Sequence, residues 1–250
     1  MKSNLTFNDK KPKICVPIIG ETSQEIIDSI KMLSQMDYDL IELRIDYYKN
    51  VDDFSKVIEL LKKIRKIHFK PVLFTFRTTT EGGMHEFPKE MYFALNNIAI
   101  KSGCIDLIDI ELFSTEEKKK IITSIELAHV NNVKVILSNH DFNKTPPREE
   151  IVRRLVEMKN SNADIAKIAV MPQEKKDVLT LMDASLDMKN KYPEQPLIAL
   201  SMGPLGIITR VTGGMFGSCI TFAALNSSSA PGQLNIEDTN YIIEKLNYME

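Results

Sequence analysis

The chain has 250 residues, 43% hydrophobic and 26% charged, which suffices to bury one large core; residues 1–250 read as a single domain. A net charge of −2 and a pI near 6.2 give no broad basic field, so nucleic acid and anionic membranes are excluded as expected partners. No run approaches the roughly 18 apolar residues of a membrane span. The polar stretch Met1 to Lys13 has no apolar leader core, and Cys15, Cys104 and Cys219 form no C-x-x-C pair, so a cytoplasmic protein with small buried thiols is expected.

After the polar start, Leu5-Thr6-Phe7 and Ile14 to Ile19 read either as a short hairpin or as successive short strands. From there strand-like runs recur at Cys15–Ile19, Leu40–Ile45, Val72–Phe76, Ile105–Leu112, Val133–Leu137, Ile165–Val170, Leu197–Leu200 and Cys219–Leu225. Between most of them apolar residues take helical spacing, as in Ile26, Ile27, Ile30 and Leu33, in Val57, Leu60, Leu61 and Ile64, and in Ile121, Ile122 and Ile125. Thr22-Ser23-Gln24-Glu25, Ser114-Thr115-Glu116-Glu117 and Thr145 to Glu150 each set a hydroxyl ahead of an acidic first turn, a helix start signal. Eight alternations of strand and helix point to an α/β fold, a (β/α)8 TIM barrel. An open doubly wound sheet is the alternative, but Gly20-Glu21-Thr22-Ser23 after the first strand lacks its glycine-rich phosphate turn.

Barrel strands alternate between helix-facing and interior positions, and active sites form at their C-terminal ends. In the second strand Ile41, Leu43 and Ile45 share the apolar face, which turns Glu42, Arg44 and Asp46 inward. Arg77 ends the third strand, just before Thr78-Thr79-Thr80-Glu81-Gly82-Gly83; Asp109-Ile110-Glu111 ends the fourth and Ser138-Asn139-His140-Asp141 the fifth. Asp46 and Glu111 are read equally well as structural ion pairs at the rim. His68 and His129, in or beside helices, read as surface residues, and His85 falls in a loop.

Lys167 stands in the middle of the apolar run Asp164 to Pro172. Such a lysine either lays its stem along the strand and carries its ammonium to water, or is an amine pushed toward its neutral form by desolvation. A neutral amine attacks a ketone to give an imine, which when protonated is an electron sink. His140 could take a proton from the adjacent carbon and return one to a leaving hydroxyl, Glu81 could hold its tautomer, and mouth arginines could bind a carboxylate or phosphate. Neither cysteine nor histidine spacing suggests a metal site.

Taken together, Glu42-Leu43-Arg44-Ile45-Asp46, Phe74-Thr75-Phe76-Arg77 with Glu81-Gly82-Gly83, Ser138-Asn139-His140-Asp141-Phe142, Asp164 to Ala169, Ser201-Met202-Gly203 and Ala230-Pro231-Gly232-Gln233 resemble type I 3-dehydroquinate dehydratases. The resemblance covers nearly the whole chain in order. It implies a TIM barrel, usually a homodimer, that converts 3-dehydroquinate to 3-dehydroshikimate and water in the shikimate pathway, without metal or cofactor. It further implies that Lys167 forms the imine, with His140 as general acid/base and Glu81 as its partner. Arg210 would bind the substrate carboxylate, Glu42, Arg44, Arg77, Ser229 and Gln233 would contact its hydroxyls and carboxylate, and Met202 would line the pocket. The loop from Ser227 to Gln233 would close over the substrate. Leu200 stands where many members have methionine, which bears on pocket shape.

Two rival readings remain at this level. A class I aldolase or transaldolase also uses a barrel lysine, and Gly203 to Gly206 or Thr212-Gly213-Gly214 could offer backbone N–H groups to a sugar phosphate. A catalytically silent barrel would bind a metabolite or protein partner, but should have lost Lys167 or His140.

Overall fold

In the computed structural model, which describes residues 6–7, 11–225 and 230–247, eight strands alternate with eight helices. The strands are β1 (Lys13–Ile18), β2 (Leu40–Arg44), β3 (Val72–Thr75), β4 (Leu107–Glu111), β5 (Lys134–Asp141), β6 (Ile165–Val170), β7 (Leu197–Ser201) and β8 (Ile220–Phe222). The helices are α1 (Ser23–Met32), α2 (Phe54–Ile67), α3 (Lys89–Lys101), α4 (Lys118–Val130), α5 (Arg148–Asn160), α6 (Lys175–Lys191), α7 (Ile207–Thr212) and α8 (Ile236–Asn247). Every ladder is parallel, and the order β7-β6-β5-β4-β3-β2-β1-β8 follows the sequence around the ring. A parallel bridge between Leu197 and Ser218 brings the two ends together, completing a nearly closed (β/α)8 barrel.

The two-residue period of the strands produces two apolar layers. Ile41, Leu43 and Ile45 face outward into the large cluster shared with helix residues such as Ile26, Leu60 and Leu61. Leu40, Leu73, Leu107, Ile136, Ile165, Ile198 and Ile220 form a separate interior cluster, all of them fully buried. Two residues further along five of these strands stand Glu42, Thr75, Asp109, Ser138 and Lys167, all buried. A dry aliphatic floor thus lies under a polar storey, and side chains in that storey meet one another rather than water.

Several expectations need correction. Among the described residues no strand precedes β1; Thr6 and Phe7 join none, Phe7 packing instead on the interior cluster, and Leu5 lies outside the described residues. β5 runs to Asp141, beyond the expected end at Leu137, because Ser138, Asn139 and His140 pair in register with Lys167, Ile168 and Ala169. Polar residues ended the apolar pattern there but not the ladder. Thr22 caps α1 by accepting from the N–H of Glu25, whereas α4 and α5 start after Glu117 and Pro147 with no side-chain cap. His68 is buried, not at the surface: it ends α2 and stacks on Tyr38, and burial next to Arg65 and Lys70 lowers its pKa to about 4.

Candidate active site

The C-terminal ends of the strands surround a cleft with about 520 Å³ of open space, part of it continuous with solvent. Of the expected site residues, Lys167, His140, Glu81, Glu42, Arg44, Arg77, Met202, Arg210 and Gln233 all line it. Ser229 lies outside the described residues, as do Ser227 and Ser228 of the expected closing loop.

Lys167 is 4% exposed, and its Nζ donates to Oδ2 of Asp109 at 2.9 Å, with Oε1 of Glu42 at 3.9 Å and the Phe222 ring centroid at 4.9 Å. The sequence suggested an amine desolvated among apolar groups with arginines beside it. In the structure those arginines are engaged elsewhere and a carboxylate meets the amine. Arg77 donates to Asp109 Oδ2 at 2.8 Å, to Glu111 Oε1 at 3.0 Å and to Ser138 Oγ at 3.0 Å. Arg44 makes a bidentate pair with Asp46, both bonds 2.8 Å. Asp46 and Glu111 are therefore ion-pair partners at the rim. Burial alone would raise the Asp109 carboxyl, but Arg77, Lys167 and His140 outweigh it and hold it well below the usual carboxylate range.

Oε2 of Glu81 accepts the backbone N–H of His140 at 2.9 Å and lies 2.8 Å from its Nδ1, while Oε1 accepts from Asn139 Nδ2 at 3.1 Å. Two glycines make this possible. Gly82 has φ +86°, and a Cβ there would stand 2.3 Å from the Phe142 ring; a Cβ on Gly83 would stand 1.8 Å from the Arg77 carbonyl oxygen. The turn after β3 folds flat against its neighbours because neither residue has a side chain. Burial, then the Glu111 charge, pushes Glu81 up to about 8, against the pull of Arg77. Burial, then Arg77 and Lys167, pushes His140 well below its ordinary value.

Arg210 is 3% exposed and, among the described residues, has no carboxylate partner. One of its terminal nitrogens donates to the Pro231 carbonyl at 2.9 Å, its buried Nε has no partner among the described residues, and burial lowers its pKa to about 10. A buried guanidinium without an anion is costly unless something supplies one. Two of the glycines considered for a phosphate are otherwise occupied: Gly203 N–H donates to Pro231 O at 3.2 Å and Gly206 N–H to Gly203 O at 3.1 Å. Among the described residues no group of three or more His, Cys, Asp or Glu is placed to hold a metal ion.

The sequence reading assigned no role to Asp109 or Ser138 and overlooked Phe222. The signal was present for all three, since stepping by two from Leu107, Ile136 and Ile220 reaches them just as stepping from Leu40 reaches Glu42.

Comparison with known proteins decides the family. The sequence pattern of type I 3-dehydroquinase matches residues 14–248. The chain belongs to the type I 3-dehydroquinase family. It is 47% identical over 244 residues to the 3-dehydroquinate dehydratase of Clostridium botulinum (strain Eklund 17B / Type B), covering 97% of this chain and 95% of that one. The crystal structure of type I 3-dehydroquinate dehydratase from Clostridium difficile, solved with covalent modified comenic acid, is 44% identical with a TM-score of 0.95, covering 99% of this chain and 97% of that one. The Enterococcus faecalis 3-dehydroquinate dehydratase is 42% identical with a TM-score of 0.90, covering 97% of each chain. Leu200 lines the cleft next to Met202, so the departure noted there falls on the pocket wall. Among the described residues, no helix is long and apolar enough to cross a membrane.

Proposed function

We propose that this chain dehydrates 3-dehydroquinate to 3-dehydroshikimate, a step of the shikimate pathway, through an imine on Lys167. The observation that carries the reading is a buried Arg210 with no anion among the described residues, in the same cleft as a buried amine and a His–Glu pair. The substrate is a ketone that bears a carboxylate and hydroxyls. Its carboxylate would complete Arg210, its ketone would meet Lys167, and Glu42, Arg44, Arg77, Ser229 and Gln233 would hold its hydroxyls and carboxylate beside Met202.

The amine adds to the ketone and water leaves, giving an iminium. His140 takes a proton from the adjacent carbon, the electrons move into an enamine, and the hydroxyl departs as water with a proton returned by His140. Hydrolysis of the new iminium releases the product and restores the lysine. Glu81 holds the imidazole through its Nδ1 and backbone N–H. Residues 1–250 act as one catalytic domain, working as a homodimer in the cytoplasm without metal, cofactor or nucleic acid, and the 227–233 loop closes over the substrate.

The test is intact-protein mass spectrometry after incubation with 3-dehydroquinate and borohydride, followed by peptide mapping. A reduced adduct on the peptide containing Lys167 is the expected result. A folded sample that gives no adduct would overturn the imine, and light scattering that returned a monomer mass would overturn the dimer.

A further inference from the structure

Lys167 sits in a polar storey where carboxylates outnumber cations, and it meets one of them directly. Arg77 is shared between Asp109, at 2.8 Å, and Glu111, at 3.0 Å, so one guanidinium faces two carboxylates. Arg44 and Asp46 cancel each other, and the raised pKa of Glu81 keeps it from adding a further full charge near neutral pH. With Glu42 counted, two negative charges are left over, and Lys167 meets the Asp109 carboxylate at Oδ2, the oxygen that also takes Arg77. Ser138 Oγ donates to the other oxygen, Oδ1, at 2.5 Å, so the carboxylate is fixed at both ends. Glu42 is the nearest alternative, but its Oε1 stands 3.9 Å from Nζ and accepts from Thr75 Oγ1 at 2.9 Å.

Resting on the imine reading above, we infer that Asp109 is a catalytic residue: the fixed counter-ion of the Lys167 nitrogen, keeping the iminium protonated through the proton-transfer step. The balance of the reaction supports this. An ammonium and a ketone give an iminium and water; two N–H protons leave with the carbonyl oxygen, while one N–H and one positive charge stay on the nitrogen. The charge that Asp109 meets in the free enzyme is thus restored in the intermediate, at the same atom. An iminium is an electron sink only while protonated, and an opposite charge within about 4–6 Å favours the charged form. Asp109 serves by remaining an anion, since Arg77 and Ser138 hold it too firmly for it to act as the base; proton transfer is left to His140. The other charged or titratable groups that face the pair are His140 from β5, Glu42 from β2, and the Cys15 thiol of β1, which lies in the field of Glu42 and Lys167.

The test compares Asp109→Asn with wild type, using 3-dehydroquinate with borohydride, which reduces protonated iminium far faster than neutral imine, across about pH 6 to 9. Wild type should give a Lys167 adduct throughout. In the variant, capture should fall at least tenfold as pH rises, and kcat should drop roughly 100-fold, as for loss of a fixed electrostatic partner, with KM within about threefold. A kcat within about threefold of wild type, or a capture profile parallel to wild type, would overturn the assignment. Should Asp109→Asn fail to fold, Ser138→Ala loosens the same carboxylate: a kcat loss of about fivefold or more with the same pH trend supports the role, and unchanged kcat and capture refute it. Absence of an adduct in wild type would instead refute the imine reading itself.

Discussion

Oε2 of Glu81 lies 2.8 Å from Nδ1 of His140 and accepts the backbone N–H of the same residue at 2.9 Å. One oxygen thereby fixes both the position and the ring orientation of the histidine. Both groups are pushed toward their uncharged forms, Glu81 up to about 8 and His140 downward, so near neutral pH the proton between them rests on Glu81.

The kinetics should register that proton. Base action at Nε2 requires the ring proton on Nδ1, and hence Glu81 as a carboxylate. We expect kcat/KM to rise with pH through about 8 and then level off. Initial rates from about pH 6 to 10 check this, and a flat profile in the wild type would contradict it. In Glu81→Gln the limb should vanish and kcat should fall by roughly 100-fold.

The same carboxyl makes a stability prediction of known sign. Its folded pKa is raised, so its contribution favours folding below its unfolded value, near 4.5, and is lost as pH rises through about 8. Relative to wild type, Glu81→Gln should therefore gain stability on going from about pH 5 to 9, by about 2–4 kcal/mol. Thermal melts of the two proteins across that range would show the gap widen; a constant gap would mean that Glu81 is ionised throughout.

Arg210 should matter to substrate and little to the fold. Loss of a charge-assisted pair to a carboxylate costs about 2–3 kcal/mol, so Arg210→Gln should raise KM roughly 30- to 150-fold. The melting temperature without substrate should fall by no more than the one bond to the Pro231 carbonyl is worth, since among the described residues the buried Nε has no partner to lose. A variant that melted much earlier but kept its KM would show that the arginine is structural.

Gly82→Ala should damage the site from outside the chemistry. The new methyl would occupy space held by the Phe142 ring, at a backbone φ of +86°. A loss of about 1–3 kcal/mol in stability is expected, with a fall in kcat as Glu81 is displaced. Thermal melts and kcat measured on one preparation test both arms; Gly82→Ala with wild-type kcat would show that the turn does not position Glu81.

Much of this site was legible because a barrel strand converts sequence parity into inside and outside. Alternation in β2 alone put Glu42 and Arg44 in the interior, and the same parity set Lys167 and Arg77 there. What parity lacks is the neighbour across the ring. That Lys167 meets Asp109, and that Arg77 is held by two carboxylates instead of standing free, depends on stagger between β3, β4 and β6. His68 misled for a related reason: a polar residue at a helix end reads as exposed until the aromatic that covers it, Tyr38, is found 30 residues away in the chain. Arg210 was identified by resemblance, since an arginine in α7 has no local signal that its charge is unmatched.

The bridge between Leu197 and Ser218 gives the ring a seam. Seven neighbouring strand pairs are joined by continuous ladders, while the junction of β7 with the β8 side rests on that bridge and the Cys219 N–H to Leu197 O bond. Amide hydrogens of β8 should accordingly exchange with solvent sooner than those of β5 and β6, whose ladder spans six residue pairs. Phe222, Ala230 and Gln233 lie on the chain beyond this seam, whereas Lys167, Asp109 and His140 lie on the continuous arc. Lys167, Asp109 and His140 are thus tied by ladders between sequence-adjacent strands, whereas the place of Phe222 depends on residues more than 200 apart in the chain, Lys13 and Ile220, coming into register.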